Sequence, residues 1–264
     1  MIAREIVDKI QEYQRKLASL ECKEINIPGF TIYLHEIDTR PNSNFAIPSS
    51  PKIPNVRESL ELLCRIFESN KRKPRIEFLV EYAKSLIKEL PLNNFFEVMR
   101  IPLVCCLQET FQEVKPTSIT IKKITSRSPL TDIRNLLMIQ RECFGYSVPL
   151  DRESIIKYRE SLNFKPFLAF FDGKPAAIVF LGPVYNGISE IIGLATRPSF
   201  RRQGIATTLL SEVLCEAFNE GVDVVFAGAG SEYSFRILTK IGSFQIATLV
   251  GYNYRPKILL EVRL

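Results

Sequence analysis

Two stretches of this chain run through the same order of elements about 150 positions apart. Apolar spacing predicts a helix over 56–69, a strand over 75–79, a helix over 81–90 and a strand over 95–107. The same signals recur as helix 205–219, strand 223–227, helix 232–240 and strand 244–252, with Phe67 opposite Phe218 and Phe95 opposite Phe244. In a chain of 264 residues such a repeat predicts two related α/β halves, each of ordinary domain size. Lys115-Pro116-Thr117-Ser118 is the natural linker, dividing 1–115 from 118–264.

The remaining segments fit that plan. Ile2, Ile6, Ile10, Tyr13 and Leu17 fall three or four apart and predict a helix over 2–19. Extended segments are expected at 25–27, 30–37 and 45–48, and later at 119–124, 189–196 and 258–262. Helices are expected over 131–144 and from Asp151, and Asp172-Gly173 predicts a hairpin of 166–171 with 175–181. A composition that is 46% hydrophobic and 24% charged supplies a sizeable core and excludes a disordered chain. No apolar run reaches the ~18 residues of a membrane helix, and Met1-Ile2-Ala3-Arg4-Glu5 has no signal-peptide character, so a cytoplasmic protein without membrane contact is expected.

The six cysteines form no C-x-x-C pair and read as small buried residues of a reducing compartment. The single histidine, His35, excludes multi-histidine metal sites, and its position excludes Ser-His or Cys-His nucleophile chemistry from the second half. No metal is expected. The net charge of +6 comes from scattered lysines and arginines and reads as a solvated basic surface, so nucleic acid is not an expected partner.

The segment that carries chemistry is Ile191-Ile192-Gly193-Leu194-Ala195-Thr196-Arg197-Pro198-Ser199-Phe200-Arg201-Arg202-Gln203-Gly204-Ile205-Ala206. A strand ends at Arg197-Pro198, a short turn follows, and a helix opens at Gly204. N–H groups at a helix start lack intrahelical partners, and the helix dipole adds partial positive charge there. Glycine lets an anion approach the backbone, and Arg201 and Arg202 add charge. The segment reads as a cradle for a diphosphate. It contains neither G-x-G-x-x-G nor G-K-[ST], so a Rossmann loop and a P-loop fit poorly.

This segment resembles the acetyl-CoA signature of the GNAT N-acetyltransferases, Q/R-x-x-G-x-G/A, as Arg201-x-x-Gly204-x-Ala206. Gly242-Ser243-Phe244 is similar to the end of the family's closing L-Y-x-x-x-G-F segment, with one residue inserted. The resemblance covers roughly 118–264. It implies an α/β (α+β) GNAT fold, a mixed and mostly antiparallel central sheet flanked by helices. It further implies acetyl-CoA lying where strands 189–196 and 223–227 splay apart, with its pantetheine arm along Leu194, Ala195 and Thr196. The diphosphate would rest on Arg201, Arg202, Gln203, Gly204, Ile205, Ala206 and Thr207. Ser231 and Ser234 take the family's Asn and Ala positions and could reach the cofactor; Ser231 could equally be only a helix N-cap.

The family's direct transfer to a primary amine needs a base for the ammonium proton, a donor for the oxyanion and departure of a thiolate. Glu190 stands where histone-acetylating members carry a general-base glutamate; it could equally be an ordinary carboxylate at a strand start. The tyrosine acid of many members falls here on Leu238, leaving Tyr233 as the nearby phenol. A thiol pKa of about 8.5 makes the leaving group tolerant of that loss. Phe144 and Tyr146, in the loop Cys143 to Ser147, and Tyr252 are the candidate acceptor-binding aromatics, although aromatics in such segments as often pack against the core. The acceptor is expected to be a small-molecule or protein amine, and the protein a monomer or homodimer.

The first half resembles the degenerate first domain of tandem GNAT proteins, through Asn44-Phe45-Ala46-Ile47-Pro48 and Pro74-Arg75-Ile76-Glu77-Phe78-Leu79. Where a diphosphate turn would lie it reads Pro51-Lys52-Ile53-Pro54-Asn55-Val56, and proline has no N–H to offer. This half is expected to leave CoA alone, to cover a sheet edge and to shape the acceptor cleft. The competing expectation, prompted by Leu238, is an acyl-CoA sensor or regulatory module that keeps the cofactor site without turnover.

Overall fold

The structure is a computed structural model and describes residues 3–114, 118–146 and 149–256. Ile2, most of the linker (115–117), Ser147 and the strand expected at 258–262 lie outside the described residues. In chain order the elements are α1 (Ala3–Glu21), β1 (Cys22–Ile27), β2 (Phe30–His35), β3 (Asn44–Pro48), α2 (Val56–Ser69), β4 (Arg75–Leu79), α3 (Leu86–Leu92) and β5 (Phe95–Leu107). They continue as β6 (Thr120–Lys123), α4 (Leu130–Phe144), α5 (Arg152–Glu160), β7 (Lys165–Phe171), β8 (Lys174–Leu181), β9 (Ile188–Thr196), α6 (Ile205–Asn219), β10 (Val224–Gly228), α7 (Glu232–Lys240) and β11 (Phe244–Tyr254).

The helix expected over 81–90 begins later, at Leu86. Tyr82 and Ala83 turn their N–H groups back to the Leu79 carbonyl, and the Glu81 carboxylate accepts the Thr248 N–H at 2.7 Å. Residues 81–85 are thus spent on a turn that holds β11.

The chain forms two compact units, but they are not contiguous halves. The first comprises 1–102 together with 246–264; the second is 103–245. The last strand of the second half therefore belongs to the first unit. Its register explains why: Leu249 to Asn253 pair antiparallel with Leu79 to Arg75, and the Phe78 and Tyr252 rings stack at 6.1 Å. Strand β5 passes from the first unit into the second, where Leu103 to Leu107 pair with Gly228 to Val224.

In the first unit the strand order is β1-β2-β3-β4-β11-β5. Ile6, Ile10 and Tyr13 of α1 and Leu60, Leu63 and Phe67 of α2 are buried at helical spacing, which is what makes each helix amphipathic.

In the second unit the order is β5-β10-β9-β8-β7-β6, antiparallel except for the parallel pair β9–β10. Two cores lie on its two faces. One joins Ile205, Leu209, Leu210, Val213, Leu214 and Ala217 of α6, with Ile237 and Leu238 of α7, to strand residues including Ile191 and Val225. The other joins Ile133, Leu136 and Leu137 of α4 and Ile155 of α5 to Leu168, Ile178, Phe180 and Ala195. Truncating one such fully buried leucine to alanine costs about 2–5 kcal/mol, so these layers fix the strands that build the site.

Candidate active site

The site is built around β9, which does two unusual things. Its parallel pairing with β10 ends at Ile191↔Ala227, although β9 runs on to Thr196. From Ile192 onward its edge on the β10 side faces a splay, while the other edge stays paired with β8. Its pairing with β8 also slips: Phe180 faces Ile192 but Ile178 faces Ala195, so β9 carries an extra residue at Gly193–Leu194. This is a β-bulge. Gly193 has φ +63, and a Cβ there would stand 2.8 Å from the Phe180 ring, so no larger residue fits.

The bulge reverses the side-chain alternation. Ile191 joins the α6 core and Leu194 packs against it, while Ala195 joins the α4–α5 core. Glu190, one residue before Ile191, therefore points to the α4–α5 side. It keeps some solvent exposure, yet its carboxyl lies deep among protein atoms, and that burial raises its pKa to about 7. Among the described residues it has no ion pair or hydrogen-bonded side-chain partner. At the other end of the segment, the Thr196 hydroxyl is buried and has no hydrogen-bond partner among the described residues.

The turn after β9 runs through a short 3-10 segment, Pro198–Phe200, and then through two left-handed residues, Arg202 at φ +62 and Gly204 at φ +78. Alternating left- and right-handed residues turn successive N–H groups inward, a geometry that suits anions. The first helical bond of α6 is Thr208 N–H to Gly204 O at 3.0 Å. The N–H groups of Gly204, Ile205, Ala206 and Thr207 precede it and have no intrahelical acceptor. Arg202 and Gly204 are exposed, Thr207 is half-buried, and Ile205 and Ala206 anchor the helix in the core. Arg201 is exposed, but its Nε donates to the Thr196 carbonyl at 3.1 Å. Gln203 Nε2 turns back to Ser199 O at 3.5 Å.

On α7 the serines cap the helix. Ser231 Oγ accepts the Ser234 N–H at 3.1 Å, and Ser234 Oγ accepts the Ser231 N–H at 3.0 Å, a closed capping box. Both hydroxyls are thus engaged by the helix itself. Tyr233, in the same first turn, is exposed. Leu238 is buried in the α6–α7 core and offers no proton.

The expected acceptor aromatics separate. Phe144 and Tyr146 are exposed at the end of α4, with ring centroids 5.5 Å apart. Tyr252 lies in the first unit, 3% exposed, with its hydroxyl donating to Glu97 at 2.9 Å. Burial and Glu97 push its pKa up to about 12. It is a packing residue of that unit, and the sequence could not say so because Glu97 and Phe78 come from far up the chain. The bulge at Gly193 went unread, although a glycine inside a strand pattern is its signal. So did Glu142, whose carboxylate meets Arg197 at 2.7 Å.

No helix among the described residues is long and apolar enough to cross a membrane. The donors of the α6 turn match a diphosphate, and the orphaned Thr196 hydroxyl, on the strand whose edge toward β10 is open past Ile191, matches an amide-bearing arm.

Residues 131–235 match the model of the acetyltransferase (GNAT) family. They form a GNAT acetyltransferase domain, of a family that uses acetyl-CoA to transfer acetyl groups. No curated protein matches the sequence. A GCN5-related N-acetyltransferase from Kribbella flavida is similar with a TM-score of 0.79 and 20% identity, over 96% of this chain and 97% of that one. A GCN5-related N-acetyltransferase from Sphaerobacter thermophilus gives 0.59 and 16%, over 86% and 78%. A tandem GNAT protein from the clavulanic acid biosynthesis pathway gives 0.65 and 8%, over 86% and 79%. At these identities the likeness is one of fold.

Proposed function

We propose that this GNAT domain transfers the acetyl group of acetyl-CoA to a primary amine by direct attack, with Glu190 as the general base. The observation that carries the reading is the lone carboxylate on β9, buried without a countercharge and raised to about 7. A base poised there takes a proton from an ammonium near neutral pH and is restored by solvent. Bound acetyl-CoA would supply a thioester carbonyl open to the amine.

The chain's own groups do the rest. The N–H groups of 204–207 and the Arg201 and Arg202 side chains hold the diphosphate, with Gln203 in the same turn. Leu194, Ala195 and Thr196 align the pantetheine arm and offer main-chain N–H to the developing oxyanion. Tyr233 is the phenol available on α7 for the leaving sulfur, while Ser231 and Ser234 shape the helix start beside it. The Phe144–Tyr146 pair meets the flank of the acceptor, where an aromatic face also favours an approaching cation. The amine can belong to a small molecule or a protein.

Leu238 supports a second reading, a sensor that binds acetyl-CoA without turnover, because the usual acid position is sealed in the core. A thiol-release assay over a panel of amines, run beside calorimetry with CoA, separates the two. The enzyme reading expects turnover of at least one amine, with kcat/KM rising through pH of about 7. Glu190→Gln should lower it by roughly 10²–10⁴-fold. Tight CoA binding with no turnover of any amine would leave the sensor standing.

A further inference from the structure

Glu190 is a single charge set among hydrocarbon. Side chains alternate along a strand, so Ile188 and Ile192 share its side of β9. The register with β10 places Phe226 beside Glu190, and the register with β8 places Phe180 beside Ile192. Ile188, Phe180 and Phe226 are buried, whereas Ile192 is 38% exposed. Its exposure has a local cause. The pairing of β9 with β10 stops at Ile191, one residue before it, and the bulge at Gly193–Leu194 follows at once. Ile192 thus stands at the mouth of the splay, about 6–7 Å along the strand from Glu190. It precedes the Leu194–Thr196 backbone assigned above to the pantetheine arm. The next charged side chain along the chain is Arg197, and it is engaged: Nε donates to Glu142 at 2.7 Å and Nη1 to the Pro175 carbonyl at 3.4 Å. That contact ties the last turn of α4 to the end of β9, where Phe144 and Tyr146 add two exposed uncharged side chains.

We propose that Ile192 is a specificity-determining residue, and that the acceptor is a primary ammonium on an uncharged hydrocarbon chain, with no second charge near the nitrogen. This rests on the reading of Glu190 as the base and of the splay as the place of the thioester. A nitrogen that gives its proton to Glu190 and attacks a thioester in the splay carries its first carbons across Ile192. A methylene or an aryl ring leaves water favourably there. A second ammonium or a carboxylate would lose hydration on that surface and gain no ion pair in return. A carboxylate would also face the negative charge that Glu190 bears when it acts as a base. A lysine side chain and a small alkyl or arylalkyl amine share the favoured chemistry. A short diamine, or an amine with a nearby carboxylate, lacks it.

Butylamine, putrescine and γ-aminobutyrate have equal carbon number and differ at the far end: methyl, ammonium and carboxylate. Thiol release from acetyl-CoA is measured for each with the full chain. Nα-acetyl-lysinamide and phenethylamine, run beside them, report whether a lysine side chain or a small arylalkyl amine is the better source. The expected kcat/KM for butylamine exceeds that for both charged analogues by about tenfold or more. Ile192→Asp supplies the missing acid and should erase or reverse the preference over putrescine, with the calorimetric CoA Kd held within about threefold. Ile192→Val keeps the hydrocarbon and should keep the wild-type order. Melting curves confirm that each variant is folded. Putrescine or γ-aminobutyrate turned over as well as butylamine by the wild type overturns the acceptor class. An Ile192→Asp variant with the wild-type order overturns the role of Ile192. Either result leaves the transferase reading intact. CoA binding with no turnover of any amine overturns the transferase reading and this inference with it.

Discussion

Helices α2 and α6 start in the same way. Each follows a left-handed residue, Asn55 at φ +51 in one unit and Gly204 at φ +78 in the other. Each makes its first bond back to that residue, Ser59 N–H to Asn55 O at 3.1 Å and Thr208 N–H to Gly204 O at 3.0 Å. Each is preceded by a strand that pairs in parallel with the strand after the helix, β3 with β4 and β9 with β10. The difference lies in what the strands leave open. In the first unit, Gln11 of α1 accepts the Leu79 N–H of β4 at 2.9 Å, and Arg15 donates to the Pro48 carbonyl of β3 at 2.7 Å. Side chains of α1 thus occupy the strand ends of the first unit, whereas in the second unit the Thr196 carbonyl at the end of β9 is met by Arg201 of the turn itself and, among the described residues, no helix side chain enters between the strands. Two separate changes distinguish the clefts: prolines take amides from one turn, and a helix fills one splay.

The sharpest way to break the comparison is at Gly204. Gly204→Pro removes an amide and forbids the positive φ, and it should weaken CoA binding by about 100-fold, near 2.7 kcal/mol. Gly204→Asn copies the first unit, because asparagine tolerates the left-handed conformation. It should fold normally and still lose about tenfold in affinity, since its side chain crowds the approach to the amides. Calorimetry reads both. An unchanged Kd for the asparagine variant would mean that the glycine matters only for backbone shape.

That comparison was half legible in the sequence. The turn could be read because its signals are local: a strand closing on Pro198, basic residues, then glycine before an apolar helix. The Ser231 cap and the paired prolines at Pro51 and Pro54 are local in the same way. What could not be read is pairing over distance. The Arg75 guanidinium meets Asn253 across 178 positions, and only the folded chain shows that β11 belongs with β4. Gln11 looked like one more polar residue of an amphipathic helix, yet it is fully buried because the Leu79 amide needs it. Tyr252 stays open between pocket and packing in the sequence for the same reason, since an aromatic in a terminal strand does not announce which unit it enters.

Gln11→Leu sharpens the comparison from the first unit's side. It keeps the volume and strands the Leu79 N–H in a buried setting, which costs about 1–3 kcal/mol. Urea or thermal unfolding should show that loss, while the CoA Kd stays unchanged. Full stability of the variant would mean that α1 is not what closes that cleft.

Glu190 marks a further contrast, because β3 carries no acid at all. Its folded pKa of about 7 lies above the ordinary carboxylate value, so the folded state holds a proton that the unfolded state gives up. The stability this lends is complete below about pH 4.3 and is lost as pH rises through the folded value. Glu190→Gln should therefore gain on the wild type between pH 5 and pH 8 by about 1 kcal/mol, allowing for the carboxyl's remaining exposure. Denaturation midpoints at the two pH values test the sign. A gain at pH 5 that vanishes at pH 8 would reverse the assignment.

The smallest effect belongs to the attempt to restore the first unit's turn. Pro54→Ala with Asn55→Gly gives that turn its amide and its glycine, at a stability change of no more than about 1 kcal/mol from added freedom in the unfolded chain. If the turn alone made a cofactor cleft, the pair should create a second CoA site, visible as added stoichiometry in calorimetry on a Gly204→Pro background. The expected stoichiometry gain is nil, because Gln11 and Arg15 still occupy the Leu79 amide and the Pro48 carbonyl. A new site would show that the α1 side chains yield to a ligand, and that the amides of the turn, not the filled splay, separate the two clefts.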